Sequence, residues 1–313
     1  LPRPEADNPY PAFGLTLWIT FIAITTGASI LRRVGITYRS EGERLVFSAG
    51  LGFALLAYLV FALGIFRLLY SGVMYGVLVL LTVLVYKEIR STTTALLYYV
   101  KRSYHPAMMD IFLGALIMFL LLYHFLGTLV PPVFFDSLVY HLAIPKLYVL
   151  NHAIVYYPYN FFSNFPFTLE MLYTLGLLLQ GSILVKCLNY VIHLLLLAGL
   201  YSFARTYLNH RIALIGVAIF YTVPWVGITS FLLYVDVGLG CYFWLATYAF
   251  INWAIRKERD WLVLCGIFTG VMLGIKYLAA HSAVILGISI LAFLTWKHFT
   301  TKAVPAVKLG VLE

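Results

Sequence analysis

The stretch LVFSAGLGFALLAYLVFALGIF (45–66) decides the class of fold. Its 22 residues carry no charge and no proline, and a helix of about 20 such residues crosses a hydrocarbon layer ~30 Å thick. Residues 111–130, 183–204 and 277–296 form runs of similar length. A water-soluble domain would need apolar runs short enough to fold about a single core, and these are too long. They also lack the ten-residue alternation of an outer-membrane barrel. The expected fold is therefore all-α, a multi-pass transmembrane helical bundle.

Composition agrees. Of 313 residues, 63% are hydrophobic and only 11% charged, with a mean hydropathy of +0.94, which excludes a water-soluble domain. The first apolar run is too long for a secretory signal and lacks a small-residue cleavage site, so it reads as an ordinary span. The opening at Leu1 and the stop at Glu313, just after a further apolar stretch begins, give the expectation of a fragment of a longer protein. Cys187, Cys241 and Cys265 fall inside apolar runs, where a thiol behaves as a small hydrophobe; they suggest neither a disulfide framework nor a metal-binding pair.

The net charge of +9 does not form one basic surface, so nucleic acid is not an expected partner. Lys and Arg recur between spans and mark the cytoplasmic side. Arg32, Arg33, Arg39 and Arg44 follow the first span, and Lys87, Arg90, Lys101 and Arg102 follow the third. Arg205 with Arg211, the cluster from Arg256 to Arg259, and Lys297 to Lys308 continue the series. Threading on this rule runs 13–31 inward, 45–66 outward, 68–86 inward and 111–130 outward, which leaves 131–166 as the longest outer loop. It continues with 183–204 inward, 212–232 outward, 237–255 inward, 261–275 outward and 277–296 inward, about nine crossings in all. By parity, 167–181 should lie against or dip into the outer interface; if it crossed, everything after it would invert.

With twelve carboxylates in the chain, position is informative, because an acid near the membrane core costs roughly 2.5–3.5 kcal/mol on insertion scales. Glu5, Asp7, Glu41, Glu43, Glu88, Glu258, Asp260 and Glu313 read as residues of termini or charged loops, and Asp110 as the cap of a helix starting at Ile111. Asp136, Glu170 and Asp236 remain, all in apolar or aromatic sequence and all on the outer face of the threading.

In FDSLVYHLAIPKLY (135–148), which follows Pro131-Pro132, helical spacing puts Asp136, Tyr140 and Ile144 on one face, with Ser137 and His141 beside them. Pro145 ends or bends the element, and Lys146 follows at headgroup depth. Asp136 reads equally well as a helix cap, and Tyr140 and His141 as interfacial anchors. YYPYNFFSNFPF (156–167) is by composition an aromatic belt, or else a groove whose ring faces and amides, Asn164 among them, hold a sugar or lipid. Asp236 enters a helix, where an acid is favourable on dipole grounds alone. Lys276 interrupts an apolar run, either snorkelling or binding an anion. Gly266, Gly270 and Gly274, at i, i+4 and i+8, predict close approach of another helix. Lys186, His193 and His281 also lie in apolar runs; with no second ligand at metal spacing, the two histidines read as satisfied core residues.

Taken in order, Phe135-Asp136, Tyr140-His141, Pro145-Lys146, the SNFP stretch (163–166) leading to Glu170-Met171-Leu172-Tyr173, the Tyr234-Val235-Asp236 turn and Lys276-Tyr277 resemble polytopic membrane glycosyltransferases of the GT-C type, the superfamily of glycosyltransferase family 39 that includes protein O-mannosyltransferases and aminoarabinose transferases. The resemblance covers roughly 111–296. It implies 1–110 as N-terminal accessory transmembrane helices, 111–296 as a catalytic core with outer loop 131–166, and 297–313 as a cytoplasmic basic loop opening a C-terminal part. It further implies transfer of a sugar, hexose or pentose, from a polyprenyl-phosphate donor to a lipid, glycan or protein acceptor at the outer face, in a bacterial cytoplasmic (inner) membrane, with membrane lipids as surroundings. Asp136 matches the family's general base, Asp236 a second supporting acid, and Lys276 a basic position that neutralises the departing lipid phosphate. Tyr140, His141, Lys146, Asn164 and Glu170 are the expected substrate-binding residues. The chain departs from the pattern in carrying Ser137 where many members have a second acid, and Asn164-Phe165 where some have an acid–base pair. No cofactor is fixed by these residues, and a divalent cation is left open. A transporter or flippase lined by Lys186, His193 and Lys276 is the competing reading, and a non-catalytic membrane scaffold the third.

Overall fold

The computed structural model describes residues 9–101 and 106–303, and among them the secondary structure is entirely helical. Arg102, Lys308, Glu5, Asp7 and Glu313 lie outside the described residues. Helices α1 (Pro9–Val34), α2 (Glu41–Ile65), α3 (Ser71–Leu84), α4 (Tyr86–Lys101) and α5 (Met108–Gly127) come first. A π-helical turn (Ser137–His141), α6 (Ala143–Asn151), a 3-10 turn (Phe161–Asn164) and α7 (Thr168–Leu179) fill the segment before α8 (Ser182–Tyr207). Then follow α9 (His210–Thr222), α10 (Pro224–Thr229), α11 (Asp236–Arg256), α12 (Arg259–Leu273) and α13 (Ala279–Ala303).

The helical membrane bundle expected from the sequence is present. By length and composition α1, α2, α5, α8 and α13 can each cross a membrane, with a sixth where the bent pair α3 and α4 is counted as one span. The other expected crossings are shorter or less apolar. The 68–86 span becomes a 14-residue helix that meets α4 at 65°. The 212–232 span breaks at Val223, where Pro224 has no N–H to continue α9 and instead starts α10. The 261–275 span is the 15-residue α12, and residues 297–303, expected in a loop, continue α13. Segment 167–181 forms the twelve-residue α7, about 18 Å long and too short to cross alone. Both ends of α7 are held at one end of the bundle: Thr168 N donates to Gly274 O at 2.9 Å, and Ser71 Oγ donates to Leu178 O at 2.8 Å.

Helices α1, α2, α7, α8, α11 and α12 share one continuous core, with Tyr173, Phe47, Phe53 and Trp261 fully buried in it. Helices α1 and α2 approach backbone to backbone, so that a Cβ at Gly27 would overlap the Ser48 carbonyl and one at Gly52 the Ala23 carbonyl. The expected glycine stripe behaves differently. Gly266 and Gly270 face open space, and only Gly274 is tightly packed, against Thr168.

The basic clusters gather at one end of this bundle. Arg32 pairs with Glu88 at 2.9 Å, Arg211 with Asp110 at 3.1 Å, Arg256 with Glu258 at 3.1 Å, and Arg39 stacks over Tyr207. Several of the supposed loop acids are buried here. Glu43 is wholly enclosed and accepts from Asn252 Nδ2 at 2.7 Å and Arg39 N at 2.6 Å, while Glu88 and Asp110 are nearly so. Asp110 lies inside the first turn of α5, not ahead of it, and accepts from Ala107 N. The opposite end carries the other connections, tied by Leu69 N to His152 O and Ile154 N to Gly64 O.

Candidate functional site

At that opposite end, the three unassigned carboxylates and Lys276 come together from four separate segments. Asp236, exposed in the first turn of α11, accepts from Lys276 Nζ at 2.7 Å, and Lys276 stands in the break between α12 and α13. The break exists because Gly274 ends α12 and its carbonyl serves Thr168, leaving Lys276 about one-third exposed between two helices. Asp236 also benefits from the N-terminal dipole of α11, but its side chain is used by the lysine.

The segment after Pro131-Pro132 is wound as a π-turn, closed by Leu142 N to Ser137 O at 2.9 Å. Such insertions re-aim side chains and are frequent at functional sites. Asp136 precedes the turn with helical backbone angles and makes no cap bond, which sets aside the capping reading. Tyr140 and His141 lie side by side, ring centroids 4.1 Å apart, and Phe162 of the aromatic segment stacks on Tyr140 at 4.3 Å. Burial first, then the charge of Asp136, to which its hydroxyl hydrogen-bonds, and the charges of Glu170 and Asp236 hold the Tyr140 phenol well above its usual range. Tyr140 therefore keeps its proton beside Asp136. Tyr234 is raised in the same way, by burial first and then by Asp136.

Behind this pair, His141 Nδ1 and Glu170 Oε1 are 2.7 Å apart, and both side chains are almost wholly buried. The second oxygen, Glu170 Oε2, has no partner. A cavity of about 200 Å³ opens beside them, lined by Tyr140, His141, Phe165, Glu170, Lys276 and Tyr277, among others. Tyr277 OH donates to Asn164 O at 2.7 Å and draws the aromatic segment over the cavity. This site can offer a hydrogen-bonded carboxylate, a buried acceptor oxygen and an ammonium to one polar ligand.

Two expected binding residues stand apart. Lys146 is exposed on α6 and does not line the cavity; Pro145, expected to end or bend the element, instead lies in the first turn of α6, which runs on to Asn151. Asn164 contributes its carbonyl, while its amide turns back to Phe161 O at 3.1 Å. Lys186 is buried and donates to Gly127 O at 2.8 Å and to Val130 O, closing the C-terminal end of α5. His193 is buried as expected but unsatisfied, both ring nitrogens lacking partners, and His281 is exposed instead of in the core. Among the described residues no group of three or more His, Cys, Asp or Glu is arranged to hold a metal. The sequence reading did not foresee the His141–Glu170 pair, whose members are 29 residues apart, or Tyr234 as a neighbour of Asp136.

Residues 164–312 match the family model described as dolichyl-phosphate-mannose-protein mannosyltransferase. This segment is GT-C-like. The match spans a little under half of the chain and bears out the resemblance seen in the sequence, supporting a membrane glycosyltransferase of the GT-C kind. Glu170, Asp236 and Lys276 fall within the GT-C-like segment, whereas Tyr140 and His141 reach the cavity from before it, with Asp136 close to Tyr140 but outside the cavity lining. Comparison with curated proteins and with solved structures gave no match.

Proposed function

We propose that the chain transfers a sugar from a polyprenyl-phosphate donor to the hydroxyl of a lipid, glycan or protein acceptor, at the outer face of a bacterial inner membrane. The observation that carries this reading is the convergence of Asp136, Glu170, Asp236 and Lys276, from four segments, at the end of the bundle away from the basic clusters.

In this mechanism the acceptor oxygen attacks the anomeric carbon and passes its proton to the Asp136 carboxylate as the bond to the donor phosphate breaks, inverting the centre. Tyr140 fixes the carboxylate through its retained proton. The departing polyprenyl phosphate gains negative charge, which the Lys276 ammonium neutralises while Asp236 keeps it in position. Glu170 Oε2, unpartnered, accepts a sugar hydroxyl, and His141 holds the other oxygen. A transporter finds less support, since Lys186 is engaged by the carbonyls of Gly127 and Val130 and lines no path with Lys276.

The test is transfer in proteoliposomes supplied with a polyprenyl-phosphate sugar. Asp136→Asn should lower the rate by about 10² or more while leaving donor binding intact. Full activity in Asp136→Asn would remove the base. Substrate accumulation inside the vesicles without covalent transfer would favour the transporter.

A further inference from the structure

A second cavity, of about 610 Å³, opens at the basic end, between the start of α2 and the last turns of α8. Helix α2 separates it from the site: Glu41 lines this cavity, and Phe61, 20 residues or about 30 Å further along, lines the apolar groove beside Phe165. It is therefore remote from the transfer chemistry by a membrane thickness.

Its mouth is basic and hydroxylic, with Arg39, Arg205, Ser40 and Thr206. Arg39 is steadied over the Tyr207 ring, 5.0 Å from its centroid. The one carboxylate in the lining, Glu41, accepts from Arg44 Nε at 2.7 Å, so its charge is already countered. Ser202 lines the cavity too, 4% exposed and packed against Gly42. Deeper along the helices the wall turns apolar, with Leu45, Val46 and Ala198.

We infer that this cavity holds an anionic phospholipid of the leaflet on the basic side, its phosphodiester between Arg39, Arg205 and Ser202 and one acyl chain along Leu45 and Ala198. Guanidinium groups match phosphate oxygens in geometry as well as charge. A free phosphate would satisfy the mouth and leave the apolar wall uncovered; a lipid covers both. Basic pockets between membrane helices on the cytoplasmic side suit such headgroups.

The full chain, purified in detergent, is melted against phosphatidylglycerol, phosphatidylcholine and inorganic phosphate. Phosphatidylglycerol should raise Tm and the other two should not. In the double variant Arg39→Gln, Arg205→Gln the phosphatidylglycerol midpoint should move up roughly tenfold or more. Ala198→Trp, which fills the apolar wall from an exposed position, should have the same effect with the lipid-free Tm unchanged. Equal stabilisation by phosphatidylcholine, or by inorganic phosphate, would overturn the lipid assignment, as would a wild-type response in Ala198→Trp. If the double variant does not fold, Ala198→Trp decides alone.

Discussion

Tyr148, on α6, is 4% exposed, and burial, followed by the charges of Glu170 and Tyr157, pushes its phenol up to about 12. In an unfolded chain a phenol ionises near ~10, so over that interval the folded state keeps a proton that the unfolded state loses. The stabilisation is whole below about pH 10 and disappears as pH rises towards the folded value. Tyr148→Phe keeps the ring and removes the titration, and its Tm should fall less steeply than that of the wild type across this alkaline interval. Parallel melting curves would contradict it. At this scale the sequence was legible where a residue type was out of place: Asp136, Asp236 and Lys276 stood out because acids and bases are costly in apolar stretches. It was not legible where partners are remote in the chain. Glu43 looked like a loop acid, yet it is buried against Asn252, 209 positions away.

Helix ends and helix contacts differ in how much of them is written locally. Long apolar runs gave α1, α2, α5, α8 and α13 directly, because length against hydrocarbon thickness is a property of the run itself. The restart at Pro224 divides the expected 212–232 span, a run of continuous hydropathy that does not record where a carbonyl finds its donor, whereas the boundary at Lys276 was marked by the lysine itself. Glycine spacing was equally ambiguous. Gly266 and Gly270 follow the close-packing pattern but face open space, whereas Gly27 and Gly52 sit at backbone contact between α1 and α2. A methyl at Gly52 meets a carbonyl, not a flexible side chain, and can be relieved only by separating the helices. Gly52→Ala should therefore destabilise the bundle by about 1–3 kcal/mol, while Gly266→Ala should be near neutral. Thermal melts of the two variants in the same detergent check the contrast, and equal Tm values would refute it.

Taken whole, the bundle keeps its basic clusters at one end and brings Asp136, Glu170, Asp236 and Lys276 together at the other. If the proposed orientation holds, a membrane-impermeant thiol reagent applied to intact cells should modify Tyr159→Cys, on an exposed turn by the site, and spare Arg259→Cys. The reverse pattern would invert the threading. The native cysteines are all buried and give a low background. The arrangement also imposes a timetable. Asp136 and Glu170 belong to earlier segments of the chain, but the cation of Asp236 and the carbonyl that anchors Thr168 both come from residues 274–276. A chain still being synthesised and inserted can bury its first helices long before that turn emerges from the ribosome. The site thus stays incomplete until residues 274–276 have been made, and on the proposed function a chain halted before them would bury its first helices without gaining the capacity for transfer.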